Sequence, residues 1–290
     1  MKISLFHNQK AGDSTSLSSI QELIEASGHE LVRVFDRESA FGDLSDVGTE
    51  LVVVAGGDGT VSAAARLLAG RSIPMAILPV GTANNIARSL QDDVSNEQLV
   101  ARWETACRRR VDLGVARGPW GERRFVEAVG VGLVPATIAS TKSAPLSGDD
   151  AASNIASALA RYREVLSGLA PRRWRIRGDG EETTGDFLLV EVLNIRSVGP
   201  NLVLSSDADP SDGCLNVVTA DVGRRDELME YLSDRIAGRE GCLSLPTMHA
   251  RHVDIHGPGD AHVDDELVRS AIAAAVSISV EAAAVEFLAS

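Results

Sequence analysis

The chain has 290 residues, 44% of them hydrophobic and 24% charged, with a formal net charge of −13. That is enough apolar material for one large core or two ordinary ones, which argues against wholesale disorder. So acidic a chain is poorly suited to broad binding of nucleic-acid phosphates, and only a local basic patch could draw it to an anionic membrane.

The first 110 residues alternate strand-like and helix-like segments. "KISLF" reads as a strand, "SLSSIQELIEASG" as a helix ended by Gly28, and "HELVRVF" as a second strand. "ELVVVAG" is a continuous apolar run, the pattern of a strand buried on both faces of a parallel sheet. "TVSAAARLLAG" reads as a helix and "PMAILPVG" as another buried strand. "TANNIARSL" opens a helix, and "NEQLVARWETACRR" reads as one more. Such alternation predicts an open parallel α/β sheet with right-handed crossovers. Beyond about residue 112 the texture changes. "RRFVEAVGVG", "RRWRIRGD", "DFLLVEVLNIR", "CLNVVTAD", "ARHVDIHG" and "AAVSISVE" read as strands joined by turns rich in Gly, Asp and Pro. They predict an antiparallel β-sandwich with a helical insert over roughly Asp149–Leu169 and a helix at "RRDELMEYLSDRIAG". A cleft between the two halves is the default place for a site.

Cys107, Cys214 and Cys242 are odd in number and scattered, which suits reduced thiols in a cytoplasmic protein. "MKISLFHNQKAG" is too short for a signal-peptide core. No uninterrupted apolar run reaches the roughly 18 residues of a spanning helix, because Glu281 and Glu286 break the apolar tail. The expectation is a soluble protein with no transmembrane segment, whose membrane contact is peripheral.

Three predicted strand ends carry glycine beside Asn, Lys or Thr: "HNQKAGD", "GGDGT" at 56–60, and "VGTAN" at 80–84. A strand that enters a helix through glycine brings backbone N–H groups and the positive helix terminus close to an anion, where a Cβ would obstruct the approach. In an open parallel sheet such ends line one crevice. Taken alone, "GGDGT" is a moderate signal, because glycine-rich strand–helix turns also occur purely for tight packing. The chain lacks G-x-x-x-x-G-K-[ST] and G-x-G-x-x-G, so it is no ordinary P-loop protein, and a dinucleotide dehydrogenase is disfavoured. Asp58 would repel phosphates on its own, which points to a metal or to proton transfer.

With "NQKAG", "GGDGT", "LPVGTANNIARSL", "NIRSVGPNLVLSSDADPSDGCLNVV" and "HVDDE" in this order, the chain resembles the diacylglycerol kinase catalytic-domain family. That family includes sphingosine and ceramide kinases and bacterial lipid kinases. The resemblance implies an ATP- and Mg²⁺-dependent kinase acting on a hydroxyl of diacylglycerol or a related lipid alcohol at a membrane surface. It implies an N-terminal α/β nucleotide domain (1–112 plus about 279–290) and a β-sandwich domain (113–278). By the same resemblance, Asn8, Lys10 and Gly12 line the nucleotide. Gly56, Gly57, Asp58, Gly59 and Thr60 hold phosphates beside Gly81, Thr82 and Asn84. Asp209, Asp212 and the Cys214 carbonyl match a Mg²⁺ site, Asp264 the general base, Glu266 a nucleotide or metal contact, and Asp112 an acidic network. Asp58 is the other candidate for base or metal organiser.

Three positions depart from the family's pattern. Asn85 stands where many members have Asp, Asp265 where they have Gly, and Gln9 where they have Pro. A Cβ at 265 is expected to bear on the turn that presents Asp264 and Glu266. Two rivals follow: an enzyme similar to NAD kinases, which share "GGDGT", and a nucleotide- or lipid-binding protein that has lost transfer activity. A homodimer through a sheet edge is compatible with either.

Other clusters carry weaker signals. His249, His252, His256 and His262 match no metal-ligand spacing, so a polar strand face is the better reading. "ACRRRVD" and "APRRWRIRGD" are basic islands. Each suits a solvated face, and the second would also suit anionic lipid head groups.

Overall fold

The computed structural model describes residues 1–8, 16–36, 48–143, 150–269 and 274–289. Contacts divide the chain into two units, Met1–Val111 with Ala283–Ser290, and Asp112–Ala282.

The first unit is built on β1 (Lys2–His7), β2 (Glu30–Asp36), β3 (Leu51–Gly56), β4 (Met75–Pro79) and the end of β17 (Ala274–Ala289). All of these pair in parallel, in the order β2-β1-β3-β4-β17. Every residue of β3 is buried, as its unbroken apolar run requires. The helices are α1 (Leu17–Ala26), α2 (Asp58–Leu68), α3 (Asn85–Leu90) and α4 (Asn96–Arg102). Ser16 caps α1 by accepting from the Ser19 amide at 3.1 Å, and Gly28 follows the helix at φ +82°. Ile20, Ile24, Leu99, Val100 and Trp103 from helical segments pack on Ile3, Leu5, Leu51, Val53 and Leu78 of the sheet. Each such side chain contributes about 1.5–3 kcal/mol by leaving water.

The sequence pattern carried the last helix to Arg109. The structure ends it at Arg102 and starts strand β5 at Cys107, running to Gly118. Trp103 is 5% exposed and stacks on His29 with ring centroids 5.7 Å apart, so tertiary packing overrides helical propensity there.

The second unit contains the rest of β5, then β6 (Gly121–Phe125), β7 (Ala128–Gly132), α5 (Leu133–Ser143), α6 (Ala151–Gly168), β8 (Arg172–Gly178) and β9 (Glu181–Leu193). The short β10 (Ser197–Val198) and β11 (Leu202–Val203) precede β12 (Leu215–Asp221), α7 (Arg225–Ile236), β13 (Thr247–Ala250) and β14 (His252–Gly257). The hairpin β15 (Ala261–Val263) and β16 (Glu266–Val268) follows, and then the start of β17. Strand β9 serves two layers. Its first half pairs β8, and its second half lies between β7 and β12. One layer is therefore β16-β15-β7-β9-β12-β13 and the other β9-β8-β14-β17-β5-β6. Val129, Val190, Val192, Val217 and Val263 of the first layer meet Trp174, Ile176, Val253, Ile255 and Ile278 of the second in the sandwich core.

Alternate residues Leu189, Leu193, Val218 and Ala220 point to the other face, where Leu159, Tyr162 and Leu166 of α6 and Leu228, Tyr231 and Leu232 of α7 cover them. The insert was legible in the sequence, but α5 was not. Its Pro135 sits in the first turn, where a missing N–H costs no intrahelical bond.

Candidate active site

Strand β1 ends at His7, and Asn8 continues it by donating its amide to the Ala55 carbonyl at 3.3 Å. Its side-chain Nδ2 donates to Thr60 Oγ1 at 3.2 Å, tying the end of β1 to the turn after β3. Lys10 and Gly12 lie outside the described residues.

At that turn a Cβ on Gly56 would lie 2.6 Å from Thr60 Cβ, so only glycine lets Thr60 fold back over the strand end. Gly57 is the N-cap of α2 and has no side chain with which to cap it. A Cβ on Gly81 would come within 2.3 Å of Gly57 Cα. The turns after β3 and β4 thus meet glycine against glycine. Asn84 holds the second turn in the left-handed conformation at φ +53°. Its Oδ1 accepts from Gly81 N at 3.0 Å, and its Nδ2 donates to Gly81 O at 2.9 Å. Thr82 is half-buried beside it.

Asp58 has a task that the sequence did not reveal. Its Oδ1 accepts from the Ile86 amide at 2.9 Å, capping α3 from another helix where Asn84 itself makes no side-chain cap. Burial pushes the Asp58 carboxyl above the usual carboxylate range, against the lowering effect of the amides of Ile86, Asn85 and Asn84. Asn85 is fully buried, and a neutral amide is less costly there than a carboxylate would be.

In the second unit the tip of the β15–β16 hairpin is Asp264–Asp265. Asp264 is left-handed at φ +49°, whereas Asp265 is not in that region. The unusual backbone falls one residue before the Cβ at 265, on a residue type that tolerates it. Asp264 is 4% exposed. Its Oδ1 accepts from Val126 N at 3.1 Å and Glu127 N at 2.9 Å, and its own amide donates to Ala128 O at 2.8 Å. Glu266 is exposed and paired with Arg123.

The Asp209–Cys214 loop is a chain of tight turns. Asp209 Oδ1 accepts from Ser211 N at 2.9 Å, and Asp212 Oδ1 from Cys214 N at 2.8 Å. Both carboxylates are exposed. No cluster of three or more His, Cys, Asp or Glu side chains suited to a metal occurs among the described residues. Two carboxylates and the Cys214 carbonyl would leave the remaining positions to water, an oxygen set that Mg²⁺ accepts.

Asp112, 3% exposed, fastens this loop: its Oδ2 accepts from Gly213 N at 2.8 Å, and its amide donates to Pro210 O at 2.6 Å. Asn194 extends the connection. Its Nδ2 bridges the carbonyls of Asp112 and Val126 at 2.9 and 3.0 Å, and its amide donates to Glu127 O at 2.8 Å. One network of hydrogen bonds therefore joins the Asp209–Cys214 loop to the turn that holds Asp264. Asn194 opens the "NIRSVGP" stretch, which was the available signal for it. Nothing in the sequence pointed to Glu127.

The basic islands are partly neutralised. Arg108 and Arg110 lie 3.6 and 3.4 Å from Glu286. On β8, Trp174 and Ile176 face the core while Arg173, Arg175 and Arg177 face outward. Arg173 lies 3.7 Å from Asp186, and Arg177 is in register with Asp254 and Glu182. Among the described residues, no helix is long and apolar enough to cross a membrane.

Comparison with known proteins matches residues 2–116 to the diacylglycerol kinase catalytic domain. Residues 149–287 match the YegS C-terminal NAD kinase beta sandwich-like domain. A diacylglycerol kinase of Mycobacterium tuberculosis (strain CDC 1551 / Oshkosh) is 32% identical over 225 residues, covering 73% of this chain and 68% of that one. A Pseudomonas putida protein named "Probable lipid kinase YegS-like" is 26% identical over 240 residues, covering 81% and 78%. A diacylglycerol kinase crystal structure from Bacillus anthracis str. Sterne shares the fold with a TM-score of 0.70 at 20% identity, covering 99% of this chain and 96% of that one. The paired domains and the aligned relatives make this chain a member of the diacylglycerol kinase-like family of lipid kinases.

Proposed function

We propose that the protein transfers the γ-phosphoryl group of ATP to a hydroxyl of diacylglycerol or a related lipid alcohol, in a Mg²⁺-dependent reaction. The observation that carries this reading is the meeting of Gly57 and Gly81 at two adjacent strand ends, where α2 begins on a glycine N-cap. Such a cradle suits the phosphates of a nucleotide. In this reading Asn8, Gly56 to Thr60, Gly81, Thr82 and Asn84 hold the phosphates, and Lys10 and Gly12 extend along the nucleotide.

Asp264 accepts the proton of the lipid hydroxyl. The hydroxyl oxygen bonds to the γ-phosphorus, the bond to the β,γ-bridging oxygen breaks, and ADP leaves. Asp58 orients α3 at the cradle through its capping bond, and Glu266 stands beside Asp264 as the contact toward nucleotide or metal. Asp209, Asp212 and the Cys214 carbonyl would hold Mg²⁺, which supplies positive charge to an acidic loop. The nucleotide is assigned to the first unit and the lipid to the second, in a cytoplasmic protein that meets the inner membrane surface peripherally.

The test is incubation of purified protein with γ-labelled ATP, Mg²⁺ and a panel of lipid alcohols in mixed micelles. Label in the lipid fraction supports the reading. Intact ATP binding with no labelled lipid sinks it and favours a binding protein without transfer activity. Label appearing in NADP when NAD is supplied would move the substrate to the soluble class.

A further inference from the structure

His262, Gly130 and Glu191 occupy one row across three strands. His262 pairs with Gly130 in β15–β7, and Gly130 pairs with Glu191 in β7–β9. The neighbouring residues Val129, Val131, Val190, Val192, Ala261 and Val263 fill the sandwich core, so the row lies on the opposite face, toward the helices. Gly130 leaves a slot there, since a Cβ at this position would lie 2.2 Å from the Glu191 carboxyl carbon. Through that slot Glu191 Oε2 reaches His262 Nε2 at 2.7 Å, and both side chains are wholly buried. The other ring nitrogen, Nδ1, lies 2.8 Å from the main-chain oxygen of Asp264.

A carbonyl oxygen only accepts, so Nδ1 must carry a proton. The contact between Nε2 and Oε2 needs a second one. The buried pair therefore holds two protons, one fixed on Nδ1 and one between imidazole and carboxylate, and is neutral as a unit. Although burial pulls His262 down, the Glu191 charge and hydrogen bond and the Asp264 carbonyl hold it above its ordinary value. Burial likewise pushes Glu191 up, against the opposing influence of His262. Asp264, Glu127 and Tyr162 are the other titratable groups near the pair, and the Asp264 charge also favours protonated His262. The tyrosine is raised by burial and then by the charges of Glu191 and Glu127, which keeps it a neutral phenol.

We infer that His262, held by Glu191 across Gly130, is the positioning residue for Asp264: its Nδ1–H fixes the Asp264 carbonyl and thereby the left-handed turn that presents the carboxylate. With that bond the turn is held on three sides, the other two being the amides of Val126 and Glu127 on the carboxylate and the Ala128 carbonyl on the Asp264 amide. The inference rests on the reading of Asp264 as the proton acceptor. It adds to that reading a reason for a protonated histidine under a hairpin.

The experiment has three parts. First, ¹⁵N-resolved NMR of the whole protein reads the His262 ring. Nδ1 should be protonated at neutral pH and remain so well into the alkaline range, and an unprotonated Nδ1 overturns the inference. Second, Glu191→Gln removes the carboxylate and keeps its shape. The expected result is a pH profile in which kcat falls with rising pH at a lower pH than in the wild type, with KM for ATP within about twofold. His262→Gln should lower kcat about tenfold with KM again unchanged, and either folded variant with wild-type kcat and pH profile overturns the role. Third, Asp264→Asn separates the two claims. If it lowers kcat by about 10²–10⁴-fold and His262→Gln lowers the residual rate no further, both stand. If it leaves kcat intact, the proton-acceptor reading fails and the positioning role with it, while the ring spectrum alone decides the protonation of the pair.

Discussion

Each unit places an aspartate at a turn and secures it differently. Asp58 accepts the Ile86 amide in the first turn of a neighbouring helix, and the turn around it is shaped by glycines packed backbone to backbone. Asp264 accepts two amides and is braced from below by a buried histidine with its own carboxylate. The histidines repeat the contrast. His7 and His29 of the first unit are pulled below their ordinary value, in each case chiefly by burial. His262 is even more deeply buried and is raised, because Glu191 lies 2.7 Å away. Burial alone neutralises a histidine, and a buried carboxylate reverses that.

The largest expected effect comes from removing the carboxylate of the second turn. Asp264→Asn should lower kcat by about 10²–10⁴-fold with ATP binding retained, as steady-state kinetics and calorimetry would show. Retained turnover would erase the contrast in function between the two aspartates.

Next come the glycines. Gly130→Ala forces a Cβ into the Glu191 carboxyl and should destabilise the second unit by about 3 kcal/mol, read as hydrogen exchange of β7, β9 and β15. Gly81→Ala strikes the Gly57 backbone and should weaken ATP binding by about tenfold or more, while the second unit's exchange is untouched.

The pH response sharpens the comparison further. The folded-state values of His7 and His29 lie below the unfolded value of about 6.5, so the unfolded chain binds more protons and the first unit loses stability as pH falls through that value. His262 lies above it, so its contribution is fully present below about 6.5 and is lost as pH rises through the folded value. The raised Glu191 acts in the same direction as His262. Residue-resolved exchange at acid and alkaline pH should therefore show opposite trends in the two units. Parallel trends would show that partners do not separate these histidines.

The smallest effect concerns Asp58. Replacement by Ala should cost about 1 kcal/mol through the lost cap of α3, and replacement by Asn, an equally good cap, less than about 0.5 kcal/mol.

Sequence patterns disclosed the parallel strands, the glycine turns and the sandwich because each follows from local periodicity or from a residue only glycine can replace. Other features depended on contacts the pattern does not contain. Arg108 and Arg110 belong to a strand because Trp103 stacks on His29 and stops the helix before them. The alanine-rich "EAAAVEFLA" has helical propensity, yet it extends β17 because strand pairing overrides it. Asp58's capping role needed the spatial meeting of α2 and α3. The His262–Glu191 pair needed the register of three strands, which no spacing along the chain encodes.

Strand β17 has a consequence for how the protein is made. Its end, from Ala283 onward, completes the parallel sheet beside β4, and about 170 residues separate it from Val111, where the rest of that unit ends. At a ribosomal rate of about 5–20 residues per second, the nascent first unit waits roughly 10–30 s with the Met75–Pro79 edge unpaired. An open apolar edge is a template for mispairing, so that interval is when this chain most needs a chaperone.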